Sequence, residues 1–272
     1  MTKKYLAIFR VSLAERMTYR GDFLLGTILR FLPMVTTILL WKAIYDGADR
    51  ASLGSRRITY NYHEMIAYLL LTQISRMFSS MPGLAGGIAR EIREGTLKRY
   101  LLQPIDMIGY LLTYRVAHKV TYIITSFLPY ALLFFVCRGF FDSFPDATTL
   151  AAYAVALVLA FLVGFFFEAS VGMVGFWFLE VTSLLYIVMT LNFFISGHML
   201  PLDFLPEPWA GLLKMMPFQY MAYFPAVVFL GKVKGTELVL QLLAELFWAV
   251  FFFVLARGLF RLGLRRYSAF GG

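Results

Sequence analysis

A chain of 272 residues that is 60% hydrophobic, 18% aromatic and only 15% charged, with a mean hydropathy of +0.72, carries too little polar surface for a water-soluble globule. Its net charge of +9 is spread among long apolar runs and forms no separate basic domain, which excludes a nucleic-acid binder and suits attraction to anionic headgroups. Cys137 is the single cysteine, so no disulfide framework within the chain and no thiolate metal site is expected.

This composition predicts an all-α, polytopic membrane protein. About 20 apolar residues cross a hydrocarbon core, and six such stretches are expected: Phe23 to Tyr45, Met65 to Ile88, Val116 to Val136, Leu150 to Phe167, Gly172 to Ile195 and Leu238 to Leu259. Little remains for a soluble domain, so residues 1–272 read as one transmembrane domain. Ahead of the first span, residues 2–20 predict an amphipathic interfacial helix. Its Tyr5, Phe9, Leu13 and Met17 recur every four residues, with Lys3, Lys4 and Arg10 off that stripe. Arg16 and Arg20 flank the stripe and would snorkel to headgroups. The Met1 to Tyr5 start lacks a signal peptide's apolar core and cleavage site, so the first span is expected to be retained. Arg30 falls about 10 Å into that span, where it either snorkels or lines a path, and Lys42 snorkels at the far end.

Between the second and third spans, residues 89–106 are charged and amphipathic and cannot sit in hydrocarbon. Arg90, Glu91, Arg93, Glu94, Lys98 and Arg99 offer a mixed-sign surface for charge-assisted hydrogen bonds with a soluble partner. Ile92, Leu97, Leu101 and Leu102 supply the apolar side. Gly95 and Thr96 are expected to break the helix and cap the next turn, and Pro104 to stop it.

The fourth span carries Ala152, Ala156, Ala160 and Gly164 at intervals of four, continuing to Glu168, a small-residue ridge for close helix approach. Glu168 and Glu180 are expected to bracket the turn into the fifth span and to reach water, with an intramembrane role as the alternative. After that span, Asn192 to Pro217 is too apolar for an ordinary loop. Gly197, Pro201, Pro206, Pro208 and Pro217 nevertheless forbid one straight helix. Short re-entrant helices over residues 196–217, covered by protein, reconcile the two, with Trp209 and Tyr220 in the interface belt.

Lysine and arginine placement predicts orientation. One side collects Lys3, Lys4, Arg10, Arg16, Arg20, Arg90, Arg93, Lys98, Arg99, Arg115, Lys119, Arg257, Arg261, Arg265 and Arg266. The other holds Arg50, Arg56, Arg57, Arg138, Lys214, Lys232 and Lys234, diluted by Asp46, Asp49, Asp142, Asp146, Asp203 and Glu207. Both termini and the charged segment are therefore expected in the cytoplasm.

Three features now stand together: six spans behind an amphipathic helix, the Glu91 to Pro104 run EIREGTLKRYLLQP, and the Ser196 to Pro206 run SGHMLPLDFLP continuing to Pro217. Across nearly its whole length the chain resembles an ABC-2-type exporter permease with a type V exporter-like fold. The resemblance implies that 89–106 is a cytoplasmic coupling segment received by a separate ATPase subunit, present in two copies. It implies that Gly197, Pro201, Leu205, Pro206 and Pro217 belong to an external re-entrant gate. It also implies a second permease protomer, identical or related, around a shared path, in the bacterial inner membrane.

The chain has no G-x-x-x-x-G-K-[ST] loop, so it carries no cofactor of its own, and ATP and Mg are expected on the partner subunit. Arg30, Phe176, Glu180, Asn192, Phe193 and Ser196 are candidate path residues. The abundance of Phe and Met suggests amphipathic, lipid-like or drug-like cargo. An ion-coupled secondary carrier or channel subunit is the alternative, without the internal repeat such carriers show. A membrane enzyme is disfavoured because His63, His118 and His198 are dispersed.

Overall fold

The computed structural model of the chain describes residues 2–18, 20–47, 52–54, 58–141, 144–178 and 180–267. Asp49, Arg50, Arg56, Arg57 and Asp142 lie outside the described residues, as do the side chains of Arg16, Arg20 and Arg30. The regular elements among the described residues are helices apart from one short hairpin, and they form two compact units that divide within one helix, after Leu70.

The first unit comprises residues 1–70 and 106–144. Helices α1 (Thr2–Thr18) and α2 (Arg20–Asp46) both pack on α6 (Met107–Val136). Part of the α1 stripe thus faces protein: a Cβ at Gly109 of α6 would stand 3.0 Å from the Tyr5 hydroxyl. Helix α6 starts nine residues earlier than the sequence suggests because Asp106 caps it, its carboxylate accepting the Gly109 N–H at 2.7 Å. Between α2 and α3 (Tyr62–Ser79), strands β1 (Ser52–Gly54) and β2 (Thr59–Asn61) pair antiparallel with Leu53 opposite Tyr60, an element absent from the sequence reading. Helix α3 opens on a capping box in which Glu64 accepts the Asn61 N–H at 3.0 Å and Asn61 accepts the Glu64 N–H at 2.8 Å.

The second unit comprises residues 71–105 and 145–272 and is organised around α7 (Ala147–Gly172). The small-residue ridge of α7 is buried from Ala156 to Gly164, with Ala156 and Ala160 at 0% exposure, and half-buried at Ala152. At Gly164 a Cβ would collide with the Ser79 backbone carbonyl, so α3 and α7 meet backbone to backbone within one chain. Helix α10 (Tyr223–Phe229) and helix α11 (Gly235–Leu264) also pack on α7. The rings of Phe166 and Phe253 lie 5.2 Å apart, and those of Tyr153 and Phe229 5.1 Å apart.

Two expected spans are corrected. The second ends at Ser79, since Pro82 and Gly83, with φ of +74°, turn the chain into α4 (Leu84–Arg93); Ile88 belongs to α4, the helix that leads into the charged segment. The fourth helix does not stop at Phe167. It runs to Gly172 and into a 3-10 turn at Met173–Phe176, which places Glu168 inside the helix and leaves only Glu180 close to the start of the next helix. The fifth helix, α8 (Thr182–Ile195), is consequently 14 residues long, about 21 Å at 1.5 Å per residue. Among the described residues, three helical stretches are long and apolar enough to cross a membrane: Met107–Phe140, Ala147–Phe176 and Gly235–Leu264.

Candidate functional site

The charged segment folds as α4, a turn, and the single-turn α5 (Lys98–Leu101). Leu84, Ala85, Ile88, Ala89 and Ile92 recur at helical spacing and are all buried, while Arg90, Arg93 and Glu94 are exposed. The buried stripe lies on the end of α7, where glycines let it approach. A Cβ at Gly172 would come within 2.7 Å of the Ala85 carbonyl, and one at Gly175 within 3.1 Å of the Ala89 Cα. Ala85 and Ala89 also join Leu185 of α8 and Val181, at the N-cap of that helix, in one apolar cluster. On the far side of the 173–176 turn, Gly263 of α11 seats the Phe176 ring, which leaves no room for a Cβ there. Packing thus holds α4 on the end of α7, on the 173–176 turn and on α8, and the same turn is seated on α11.

The turn between α4 and α5 is held from inside. Gly95 takes φ of +68°, and the Leu97 N–H donates to the Glu91 carbonyl at 3.1 Å. Thr96 does not cap α5 as expected; its hydroxyl donates back to the Glu91 carbonyl at 3.4 Å, and Leu97 occupies the N-cap position. Helix α5 ends at Leu101, three residues before Pro104. Glu91 accepts hydrogen bonds from the Arg99 guanidinium and, at 3.4 Å, from the Tyr100 hydroxyl, with the guanidinium 4.8 Å above the Tyr100 ring. Burial nevertheless keeps the Glu91 carboxyl above its ordinary value, outweighing Arg99, Tyr100 and Arg90. Glu91 thus joins α4 to α5 more than it faces outward. The outward surface is Arg90, Arg93, Glu94, Lys98, Arg99 and Pro104, with Leu101 46% and Leu102 83% exposed.

The expected path residues divide into three places. Glu180 joins the charged segment, its carboxylate 3.5 Å from the Arg93 guanidinium and accepting the Thr182 N–H at 2.7 Å, a bond that holds it below the usual carboxylate range. Phe176 packs against Phe260 and Tyr267 rings and serves the same anchorage. Asn192 and Ser196 line a cavity of about 50 Å³ with Arg76, Ser79, Ser80, Glu168, Met189 and Met221. Phe193 sits beside it, 5.0 Å below the Arg76 guanidinium and 4.8 Å from the His198 ring. The Asn192 Oδ1 is buried with no hydrogen-bond partner among the described residues. This volume admits water but falls well below the roughly 300 Å³ at which small-molecule pockets begin.

Beyond α8, residues 196–229 form short pieces: a 3-10 turn at Leu202–Phe204, α9 (Trp209–Met215), a 3-10 turn at Pro217–Met221, then α10. A polar network that sequence reasoning missed ties them together. Asp203 accepts hydrogen bonds from the Lys214 ammonium and, at 2.8 Å, from the Tyr223 hydroxyl; Gln219 donates to the Lys214 carbonyl, and Tyr220 donates to Gln241 of α11 at 2.9 Å. The ring of Tyr223 also faces the Lys214 ammonium at 5.3 Å. Asp203 and Lys214 stand 11 positions apart, with no periodic signal in the sequence that links them.

An ABC-2 family transporter protein model matches residues 31–271, nearly the whole chain. The chain belongs to that family. It is accordingly an integral membrane protein and an ABC transporter permease subunit, a class that works with an ATPase subunit and is generally not itself catalytic. No curated protein matches the permease. In the permease, the charged segment brings opposite charges and exposed leucines together on one surface, the composition a soluble partner would grip.

Proposed function

We propose that this permease is the membrane half of an exporter in which 84–104 docks in a cleft of a separate ATPase subunit, two copies of which bind ATP and Mg. The observation that carries this reading is the anchorage of α4. Gly172, Gly175 and the Phe176–Gly263 contact join it rigidly to the long helices, so a push on Arg90, Arg93, Glu94 or Leu102 moves α7 and α11 as bodies. Six crossings follow from α2, α3, α6, α7, α8 and α11, with both termini and the charged segment inside the bacterial cytoplasmic membrane. Helix α8 covers about 21 Å of a roughly 30 Å core, and the short pieces at 196–217, in which Pro201, Leu202, Asp203 and Ala210 are buried, take up the remaining depth on the outer side as a gate. The cavity beside Asn192 and Ser196 is too small for cargo, so an amphipathic, lipid-like or drug-like substrate passes where two protomers face each other, as homodimer or heterodimer.

Affinity purification in mild detergent tests the docking. The wild-type chain is expected to retain a stoichiometric Walker A subunit, and Leu102→Asp to retain about tenfold less, the equivalent of one interface hot spot of somewhat over 1.4 kcal/mol. Equal retention by the variant would sink this docking surface. Retention of no ATPase by the wild type would sink the exporter reading itself.

A further inference from the structure

Glu245 is the eleventh residue of α11, about 15 Å from its start and within the apolar run of that helix. Its exposure is 0%, and neither carboxyl oxygen has a hydrogen-bond partner among the described residues. A carboxylate left so would be prohibitively costly, and an ionisable side chain placed inside a span calls for a ligand or a function.

The packing decides which ligand fits. Of the elements packed along α11, helix α7 brings the titratable groups Tyr153 and Glu168, the 217–221 turn brings Tyr220, and the 173–176 turn brings none; these three elements contain no lysine, arginine or histidine. Tyr220 lies within electrostatic reach of Glu245, but its hydroxyl donates to Gln241, one helical turn earlier on α11. Along α11 the nearest charges are Glu237 and Arg257, about 12 and 18 Å away along the axis. Among the described residues of these packed elements no counter-ion is supplied, and zero exposure leaves no space for a water or a hydrated cation beside either oxygen. A proton needs no space.

We propose that Glu245 is a proton-binding site: the carboxylate takes one proton to become a neutral acid while α11, α7 and the 217–221 turn are packed, and returns it to water when that seam opens. The site stands independently of the docking surface, since it uses no residue of 84–104. It couples separation of α11 from the 217–221 turn, which breaks the Tyr220 to Gln241 hydrogen bond, to release of a proton.

Infrared spectroscopy of the full chain in lipid nanodiscs, with its co-purified partners, tests this. The expected result at neutral pH, where solvated glutamates are ionised, is a carboxylic-acid carbonyl band in the wild type that is lost in Glu245→Gln. Should the glutamine variant fail to fold, Glu245→Asp retains an acid and is expected to shift the same band. A spectrum unchanged by either substitution, or a band lost only in Glu168→Gln, would overturn the assignment.

Discussion

Close approach between backbones, rather than side-chain chemistry, governs the most sensitive single positions. At Gly164 the first atom of any side chain meets the Ser79 carbonyl, a backbone group that cannot rotate away. Gly164→Ala is therefore expected to lower stability by about 1–3 kcal/mol through overpacking, read as a fall in the thermal midpoint in detergent. Gly87→Ala has no atom within 4 Å of the added carbon and lies within α4, so it should be neutral or stabilising by up to about 1 kcal/mol. Buried Asp203, paired with a Lys214 side chain that is 30% exposed, gives a second test. Lys214→Met leaves Asp203 without its cation and should cost roughly 3 kcal/mol, whereas the double change with Asp203→Asn should cost less. A double-mutant cycle on thermal unfolding checks the coupling, and simple additivity would refute it.

At the scale of elements, the start of α7 answers to pH. The Thr148 hydroxyl and the Thr149 N–H donate to Asp146 and hold its carboxyl down at about 2. A depressed carboxylate stabilises the fold above its unfolded value and loses that contribution as pH falls through the folded one. Amide exchange at residues 147–150 should accordingly rise, relative to the rest of α7, between pH 4 and pH 2, and Asp146→Asn should remove that pH dependence. The α4 to α5 turn makes a different prediction. Glu91 was expected on the docking surface, yet it clamps Arg99 and Tyr100 from a side chain only 18% exposed. Glu91→Gln should loosen the turn, seen as faster proteolysis within 94–104, while Glu94→Lys should leave the turn intact and weaken ATPase retention. Charged residues are legible in a sequence, but whether a carboxylate faces a partner or its own chain depends on where a turn returns the backbone.

For the whole molecule, the proposed orientation predicts opposite accessibility at two exposed sites. In a Cys137→Ser background, Leu102→Cys should resist a membrane-impermeant maleimide in intact cells and react after lysis. Trp209→Cys, at a position 61% exposed, should react from outside. The reverse pattern would invert the topology and place the charged segment where no cytoplasmic ATPase could reach it.

Membrane residence, the charged segment, the broken stretch after residue 195 and the family resemblance were all readable from the chain alone. Each rests on run length, charge placement or proline and glycine spacing, which are local properties of order. The small-residue ridge was readable as a packing face, but its partner, Ser79, was not. Tertiary structure alone decided that α7 continues past Glu168, that α8 is short, that Glu180 pairs with Arg93, that Asp203 meets Lys214 and that Glu245 is sealed. In an apolar chain, period and composition change little whether a helix runs on or turns. The solvation of a polar atom is set by elements distant in sequence, and those meet only when the chain packs.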